Sequence, residues 1–269
     1  MAIKLVTIDI DDTLLNSKGE IMPTTHAAIK AAMVQGVHVA LASGRAFAGV
    51  QIYLRQLEMT RDDQYVMTFN GAVVESVTGR IVNQDGLSDE AYAAMTTYGL
   101  AHHVPFNIVT ADSEVMTRDR DVGAITALQA VENSTGILVR YPGELPAGTQ
   151  IIKGVYCGNE RMLDQAEAGV RQTFGAQYEV MRAGRPFLEL MVKGVNKGSG
   201  AAHLAKHLGL TADEVMAFGD EDNDVTMFDY AGLAVAMGNG NAAAKAHADY
   251  ITASNDADGL ALALQKFVL

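Results

Sequence analysis

Three aspartates lie within four positions near the start of the chain. The stretch TIDIDDTLLNS, residues 7–17, places Asp9, Asp11 and Asp12 directly after an apolar run. Neighbouring carboxylates repel one another and raise one another's pKa, so such a cluster is unfavourable unless a cation completes it. Paired aspartates at a strand end suit Mg²⁺, which takes oxygen ligands and keeps positions for water and phosphate. An acid-rich, solvated turn fits the same residues.

These residue types also predict a reaction. A carboxylate held beside Mg²⁺ and a phosphate can attack phosphorus to form an aspartyl-phosphate. A second carboxylate two residues later can protonate the leaving oxygen and then deprotonate water. If the extended backbone continues through Asp11, strand alternation places Asp9 and Asp11 on the same side.

A second acidic cluster follows another apolar run late in the chain. The stretch VMAFGDEDNDVTMF, residues 215–228, carries Asp220, Asp222, Asn223 and Asp224. One side chain suffices to cap the following helix, and Asp222 or Asn223 could do so. The remaining groups can supply a further metal ligand, with Asn223 and Asp224 holding metal-bound water or orienting a lysine.

Two further segments could bind an anion. In ALASGRAFAG, the Ser43 hydroxyl, the Gly44 amide and a helix N-terminus can form a phosphate cradle, although Ser43 could simply cap that helix. In VNKGSG, Lys197 stands at a helix start, where the helix dipole disfavours a cation, so we expect an anion nearby. A solvated surface lysine is the alternative. Asn70 and Gly71 in TFNGAVV predict a turn between strands, with Asn70 orienting substrate as a further option.

The charge of the chain limits the class of partner. With 269 residues, 49% of them hydrophobic, the chain is long enough for one large or two modest cores. A formal charge of −12 repels nucleic acid and anionic membranes, so neither is an expected partner, and an anionic ligand would need local positive groups or a bound metal to hold it. No apolar run approaches the roughly 20 residues of a membrane span, and the expected location is the cytoplasm. Cys157 is the one cysteine and is expected to be a buried thiol. The oligomeric state is left open.

Short apolar runs alternate with longer helical patterns, which is typical of a parallel sheet covered on both faces. Early in the chain, strands are predicted at 2–9, 37–42 and 65–70 and helices at 25–36 and 46–58, the first capped by Thr24 or Thr25 and stopped by Gly36. The late part predicts strands at 214–219 and 233–238 and helices at 197–209, 224–232 and 258–269. Between them, helices at 88–103 and 160–175 mix with strands at 104–110 and 149–158.

This change of pattern predicts an inserted domain. The expected fold class is α/β, with a Rossmann-like, doubly wound parallel sheet that an α+β domain interrupts. Residues 1–83 and 191–269 are assigned to the catalytic core and 84–190 to the insertion, with crossings near NQDGLSD and VKGVNKG. In such sheets ligands bind beyond the carboxyl ends of the strands, where both acidic clusters are predicted.

Four segments in this order resemble the motifs of a known family. DIDDTLL, SGR, the lysine of GVNKGSG, and GDEDND are similar to the haloacid dehalogenase-like phosphatases, specifically the Cof-type sugar-phosphate phosphatases with a large α+β cap. The resemblance covers the whole chain, including FNG and the cap between the second and third motifs. It implies a Mg²⁺-dependent phosphatase acting on small phosphorylated metabolites, with a cap that closes over the leaving group.

The resemblance also implies site residues. Asp9 would be the nucleophile, and Asp11 the general acid and base, whose backbone carbonyl also reaches the metal. The implied phosphate-binding residues are Ser43, Gly44, Lys197 and Asn223. The implied metal-binding residues are Asp9, Asp11, Asp220 and Asp224.

One residue departs from the family pattern, and two other functions stay open. The Cof group usually has glycine where this chain has Asp12, whose side chain is expected to point to solvent. Arg182 or Arg185 could meet a second anionic group of a substrate. A phosphomutase would share the nucleophile and the cap but return the phosphoryl group to a sugar. A phospho-aspartate signalling module would share the acidic strand ends and the lysine, but such modules are shorter and lack the insertion.

Overall fold

The structure is a computed structural model that describes residues 2–183 and 185–269. It divides the chain into two compact units. Unit 1 consists of Met1–Gly44, Val50–Gln84 and Asn196–Leu269, and unit 2 of Arg45–Gly49 and Asp85–Val195. The second crossing lies a few residues after the predicted boundary at 190/191, because the last strand of unit 2 continues to Val192.

The helices and strands follow the predicted alternation. The first part of the chain forms β1 (Leu5–Asp9), α1 (Pro23–Val34), β2 (His38–Ala42), α2 (Phe47–Gln56), β3 (Tyr65–Thr68), β4 (Val73–Ser76) and β5 (Ile81–Gln84). The middle forms α3 (Asp89–His102), β6 (Phe106–Thr110), β7 (Val115–Thr117), α4 (Ala124–Glu132), β8 (Ile137–Val139), β9 (Ile151–Cys157), α5 (Glu160–Phe174), β10 (Tyr178–Ala183) and β11 (Phe187–Val192). The last part forms α6 (Lys197–Leu208), β12 (Val215–Gly219), α7 (Val225–Tyr230), β13 (Leu233–Ala236), α8 (Ala242–His247), β14 (Tyr250–Ile251) and α9 (Gly259–Phe267).

Unit 1 is built on an eight-stranded sheet in the order β14-β13-β12-β1-β2-β3-β4-β5. The strands from β14 to β3 are parallel, and β4 and β5 continue the sheet in antiparallel fashion. Its apolar strands are buried, as near-continuous hydrophobic runs in a parallel sheet must be. The register places Asp9 opposite Ala42 and aligns β1 with β12, so the carboxyl ends of β2, β1 and β12 lie side by side.

Unit 2 is an α+β unit with a six-stranded sheet in the order β10-β11-β9-β6-β7-β8. All neighbouring pairs are antiparallel except β7 and β8. Helices α3 and α5 pack on one face of this sheet around a core that includes Tyr92, Phe106, Tyr156, Leu163 and Leu188. The sequence predicted both helices and the strands at β6 and β9. The four other strands carry weaker patterns and were not predicted one by one.

Helix α1 begins differently from the prediction. The helix starts at Pro23, with Met22 before it and no side-chain cap, so neither Thr24 nor Thr25 caps it. Proline suits the first helical position because its fixed φ matches the helix and its missing N–H has no partner to lose there. The Thr24 hydroxyl donates to the Asp258 carboxylate instead. Gly36 follows the helix at φ +85°, a conformation that favours glycine.

Across residues 2–183 and 185–269, no helix is both long and apolar enough to cross a bilayer.

Candidate active site

The first acidic cluster begins where β1 ends. Asp9 is the last residue of that strand and is 7% exposed. Ile10–Leu14 then form one irregular turn, in which Asp12 has φ +57°. The extended backbone therefore does not continue through Asp11 as an unbroken strand, and strand alternation does not relate the two carboxylates. Asp9 is buried, whereas Asp11 and Asp12 are exposed.

Asp12 occupies a left-handed backbone position. Non-glycine residues are uncommon there, and aspartate tolerates the position better than most. Its side chain is exposed, as expected, and its backbone carbonyl accepts a hydrogen bond of 2.8 Å from Asn239 Nδ2. Asn239 was not among the predicted site residues, because a side chain that holds a turn through its carbonyl leaves no sequence pattern.

Lys197 is the first residue of α6 and is 1% exposed. Its Nζ donates to Asp9 Oδ1 at 2.5 Å and to Asp224 Oδ1 at 2.6 Å. The helix start is fixed by a capping box, in which Asn196 accepts from the Ser199 amide and the Ser199 hydroxyl accepts from the Asn196 amide. The expected anion beside this lysine is therefore present, and the solvated-lysine alternative is wrong.

Two aspartates of the second acidic cluster, Asp220 and Asp224, have different hydrogen-bond partners. Asp224 Oδ2 accepts from the backbone amides of Asp220 and Glu221 at 2.9 and 3.1 Å, while its Oδ1 accepts from Lys197. Asp224 thus holds both the turn and the lysine. Asp220 Oδ1 accepts a hydrogen bond of 2.7 Å from the Thr13 hydroxyl. This bond joins the two acidic turns across 207 positions of sequence.

Asp9, Asp220 and Asp224 form a buried carboxylate cluster. Each offers an oxygen, and these oxygens lie within 4.8 Å of one another. Hard oxygen donors at this spacing fit Mg²⁺, which binds few protein carboxylates and fills its remaining positions with water and phosphate oxygens. The cluster contains three of the four predicted metal residues. The side chain of Asp11 is not a member, and the family resemblance brings its backbone carbonyl, not its carboxylate, to the metal.

Burial makes two of these carboxylates, Asp9 and Asp220, hard to ionise in the metal-free protein. The pKa of Asp9 is raised well above its ordinary value by burial and by the charges of Asp224 and Asp220, against the opposing effect of Lys197. Burial also raises the pKa of Asp220 to about 6, with further contributions from Asp224 and Asp12. For Lys197, burial lowers the pKa but Asp9 and Asp224 raise it more, so the ammonium stays charged. One lysine does not neutralise three carboxylates, and a divalent cation would offset the remaining charge.

Ser43 and Gly44 lie beyond the carboxyl end of β2. Ser43 is 2% exposed and stands four residues before the first residue of α2, too early to cap that helix. The predicted phosphate cradle assumed that the helix N-terminus follows Gly44 directly. It does not, because α2 begins only at Phe47. A Cβ built on Gly44 would lie 3.3 Å from the side-chain amide of Asn70, so glycine lets these groups approach closely. Asn223 Nδ2 donates to Asn70 Oδ1 at 3.3 Å.

Asn70 therefore lies between two predicted phosphate-binding residues, Gly44 and Asn223. It occupies the connection between β3 and β4, as the turn prediction required, at φ +54°. Thr13, like Asn239, is a residue of the site that the sequence did not predict. Its position two residues after Asp11 was the only indication in the sequence. A threonine in a turn usually makes no hydrogen bond to a distant carboxylate such as that of Asp220, so this position alone does not predict the contact.

The two arginines expected to meet a second anion already have carboxylate partners in unit 2. Arg182 pairs with Asp164 at 3.1 Å and Glu167 at 3.3 Å. Arg185 pairs with Glu160 at 3.5 Å. These contacts favour a structural role for both arginines.

The chain is similar to several known proteins. A family model described as haloacid dehalogenase-like hydrolase matches residues 6–264. A Streptococcus pyogenes protein that is provisionally named a phosphatase is 35% identical over 270 residues, with 100% of each chain covered. A solved haloacid dehalogenase-like hydrolase from Bacteroides thetaiotaomicron is 27% identical, with a TM-score of 0.87 over 98% of this chain and 99% of that one. A solved sugar phosphatase of subclass IIB in the same superfamily is 25% identical, with a TM-score of 0.75 over 98% of each chain. These likenesses confirm the predicted α/β fold class.

Proposed function

This chain belongs to the haloacid dehalogenase-like hydrolase family, and we propose that it is a Mg²⁺-dependent phosphatase that passes through an aspartyl-phosphate on Asp9. Its family and its relatives make it a phosphoric monoester hydrolase. We further propose that its substrates are small phosphorylated metabolites, sugar phosphates among them, since one similar solved protein is a sugar phosphatase. The formal charge of −12 disfavours nucleic acid and anionic membranes as partners, and we propose that the substrate is a small molecule of the cytoplasm whose phosphate is held by local cations.

The observation that carries the proposal is the contact between Asp9, Lys197 and Asp224. A buried ammonium 2.5 Å from one carboxylate and 2.6 Å from another holds the Asp9 oxygen in one orientation. The same ammonium offers its charge to a phosphoryl group that approaches Asp9. Phosphoryl transfer depends mainly on positioning and on neutralising charge, and both are properties of this contact.

The proposed reaction has two steps. In the first, an Asp9 oxygen forms a bond to phosphorus while the bond to the ester oxygen breaks, and Asp11 gives its proton to that leaving oxygen. In the second, Asp11 takes a proton from water, the water oxygen attacks phosphorus, and the bond to Asp9 breaks to release inorganic phosphate. Lys197, with Ser43, Gly44 and Asn223, would hold the phosphoryl oxygens during both steps.

Asp9, Asp220 and the backbone of Asp11 would hold the magnesium ion, with Asp224 supporting the site through Lys197 and the backbone of the second turn. Bound there, the ion would neutralise negative charge on the phosphoryl oxygens and on the buried carboxylates. Thr13 would orient Asp220 through its 2.7 Å hydrogen bond. In this proposal unit 1 is the catalytic core and unit 2 is the inserted cap domain.

A phosphate-release screen over sugar and nucleotide phosphates, with Mg²⁺ or with a chelator, tests the proposal. The parent protein should release phosphate only with the metal, and Asp9→Asn should lower the rate by at least about 10³-fold because the amide is a far weaker nucleophile. Asp229→Asn is the matched control, since Asp229 is an exposed aspartate paired with His247. Undiminished hydrolysis by Asp9→Asn would remove the proposed nucleophile, and an isomerised sugar phosphate as product would identify a mutase.

A further inference from the structure

The loop between β13 and α8 contacts both acidic turns of unit 1. This loop consists of residues 237–241, with the sequence MGNGN. Asn239 Nδ2 donates to the Asp12 carbonyl of the first turn at 2.8 Å. The Asn241 amide donates to the Asp220 carbonyl of the second turn, also at 2.8 Å. One short loop therefore holds the backbone of both turns that carry the proposed site.

A backbone donor fixes the orientation of the Asn239 side chain. The Asn255 amide donates to Asn239 Oδ1 at 2.9 Å, so the side-chain nitrogen of Asn239 faces the other way, towards Asp12. Asn255 also holds the residue that follows the first turn, because its Nδ2 donates to the Leu15 carbonyl at 2.9 Å. Two asparagines from the last part of the chain thus bind two carbonyls at the first acidic turn.

Asp12 has a backbone conformation that aspartate adopts only at a cost. Its φ of +57° brings its Cβ close to the following carbonyl oxygen, whereas glycine has no Cβ and adopts this conformation freely. The hydrogen bond from Asn239 favours the left-handed conformation over relaxed alternatives. Because Asn239 is exposed and water could bind the same carbonyl, this bond adds little to the stability of the whole fold. Its main effect is on the conformation of the turn.

The peptide that Asn239 holds lies between two residues with proposed roles. Asp11, the proposed general acid and base, precedes Asp12, and Thr13, whose hydroxyl donates to Asp220, follows it. The peptide unit is planar, so a change in the direction of the Asp12 carbonyl requires new backbone angles at Asp12, which move Asp11 relative to Thr13. We propose that Asn239 is a positioning residue that keeps Asp11 in place for proton transfer by holding the left-handed turn at Asp12. This inference rests on the proposed function and assigns a supporting residue to its acid step.

Hydrogen exchange of the Leu15 amide tests the hold on the turn without any reaction. This amide donates to the Ile10 carbonyl at 3.0 Å and closes the turn. In Asn239→Ala it should exchange about tenfold faster, because one hydrogen bond that opposes opening is lost. In an Asp12→Gly background the same substitution should change the exchange rate by less than about threefold, because glycine keeps the left-handed conformation without that hydrogen bond.

The dependence of the rate on the leaving group tests the effect on Asp11. A sugar hydroxyl needs a proton as it leaves, whereas p-nitrophenolate is stable without one, so only the sugar ester depends strongly on the general acid. The value of kcat/KM reports the steps up to the aspartyl-phosphate. Asn239→Ala should lower kcat/KM about tenfold more for a hexose 6-phosphate than for p-nitrophenyl phosphate, both with Mg²⁺. A smaller folded fraction would lower both values equally, and adding Asp12→Gly to this variant should restore most of their ratio.

Asn159→Ala is the matched control. Asn159 is an exposed asparagine whose side chain accepts the Met162 amide at 2.9 Å at the start of α5, in unit 2. This variant should change neither the exchange of the Leu15 amide nor the ratio between the two substrates.

Unchanged exchange of the Leu15 amide in Asn239→Ala, or an equal loss of kcat/KM with both esters, overturns the inference. If the unmodified protein releases no phosphate from either ester, the proposed function fails. The exchange rate then decides by itself whether Asn239 holds the turn, since that measurement involves no substrate.

Discussion

Asp220→Asn should stabilise the metal-free protein although it disables the site. Asp220 is 3% exposed, and burial with nearby carboxylates raises its pKa from the ordinary 3.8 to about 6. Asparagine has nearly the same shape and can still accept the Thr13 hydrogen bond through its side-chain oxygen. It carries no charge, so the cost of ionising this buried position disappears.

The magnitude and sign follow from proton linkage. A raised pKa means that the folded protein binds this proton more tightly than the unfolded chain, so ionisation destabilises the fold as pH increases. The penalty is small below the unfolded pKa near 4, grows between about pH 4 and pH 6, and is level above that range. The full difference between the folded and unfolded pKa of Asp220 corresponds to about 3 kcal/mol of stability, and solvent screening reduces this contribution to about 1–3 kcal/mol.

Thermal unfolding of both proteins in a chelator, from pH 5 to pH 8, measures this effect. We expect Asp220→Asn to melt about 2–9 °C above the parent at pH 8 and to lose part of that advantage at pH 5. Asp222→Asn is the control, because Asp222 is an exposed neighbour in the same turn and should show no such pH-dependent gain. Adding Mg²⁺ at about 100 times its dissociation constant should stabilise the parent by about 2.7 kcal/mol and the variant by less. A variant that melts at or below the parent at pH 8, or whose advantage does not change with pH, would refute the reasoning.

Two further substitutions test the support of the site. Lys197→Met should lower the free energy of unfolding by about 3 kcal/mol and abolish phosphate release, because it leaves Asp9 and Asp224 buried without their cation. Urea unfolding measures the first effect and a phosphate-release assay the second. Full activity of this variant would contradict the role of the ammonium. Gly198→Ala should lower the free energy of unfolding by more than about 2 kcal/mol and weaken activity, because a Cβ at this position, next to Lys197, would overlap the Thr226 carbonyl oxygen. Gly123→Ala is the control. It should be nearly neutral in the same unfolding assay, because the space around the added carbon is open.

The order of the elements and the edge of the sheet that carries the site could be predicted from the sequence. Continuous apolar runs such as residues 214–219 predict buried parallel strands, and the carboxyl ends of neighbouring parallel strands meet at one edge. That rule brings Asp9, Ser43 and Asp220 to the same edge without any knowledge of side-chain positions. The position of Lys197 at a helix start also predicted an anion, because the helix dipole makes an isolated cation unfavourable there.

The individual contacts between side chains could be identified only from the tertiary structure. No local pattern distinguishes Asp224 from Asp222 as the partner of Lys197, or indicates that Thr13 reaches Asp220, since these contacts depend on turn geometry and on segments that are far apart in sequence. The pairing of Lys153 with Glu189 likewise depends on the register of β9 against β11, which a shift of one residue would reverse from one face to the other. Residue types and periodicity thus determined which chemistry was available. Strand register and turn conformation decided which atoms meet, because hydrogen bonds form only over a few tenths of an ångström around 3 Å.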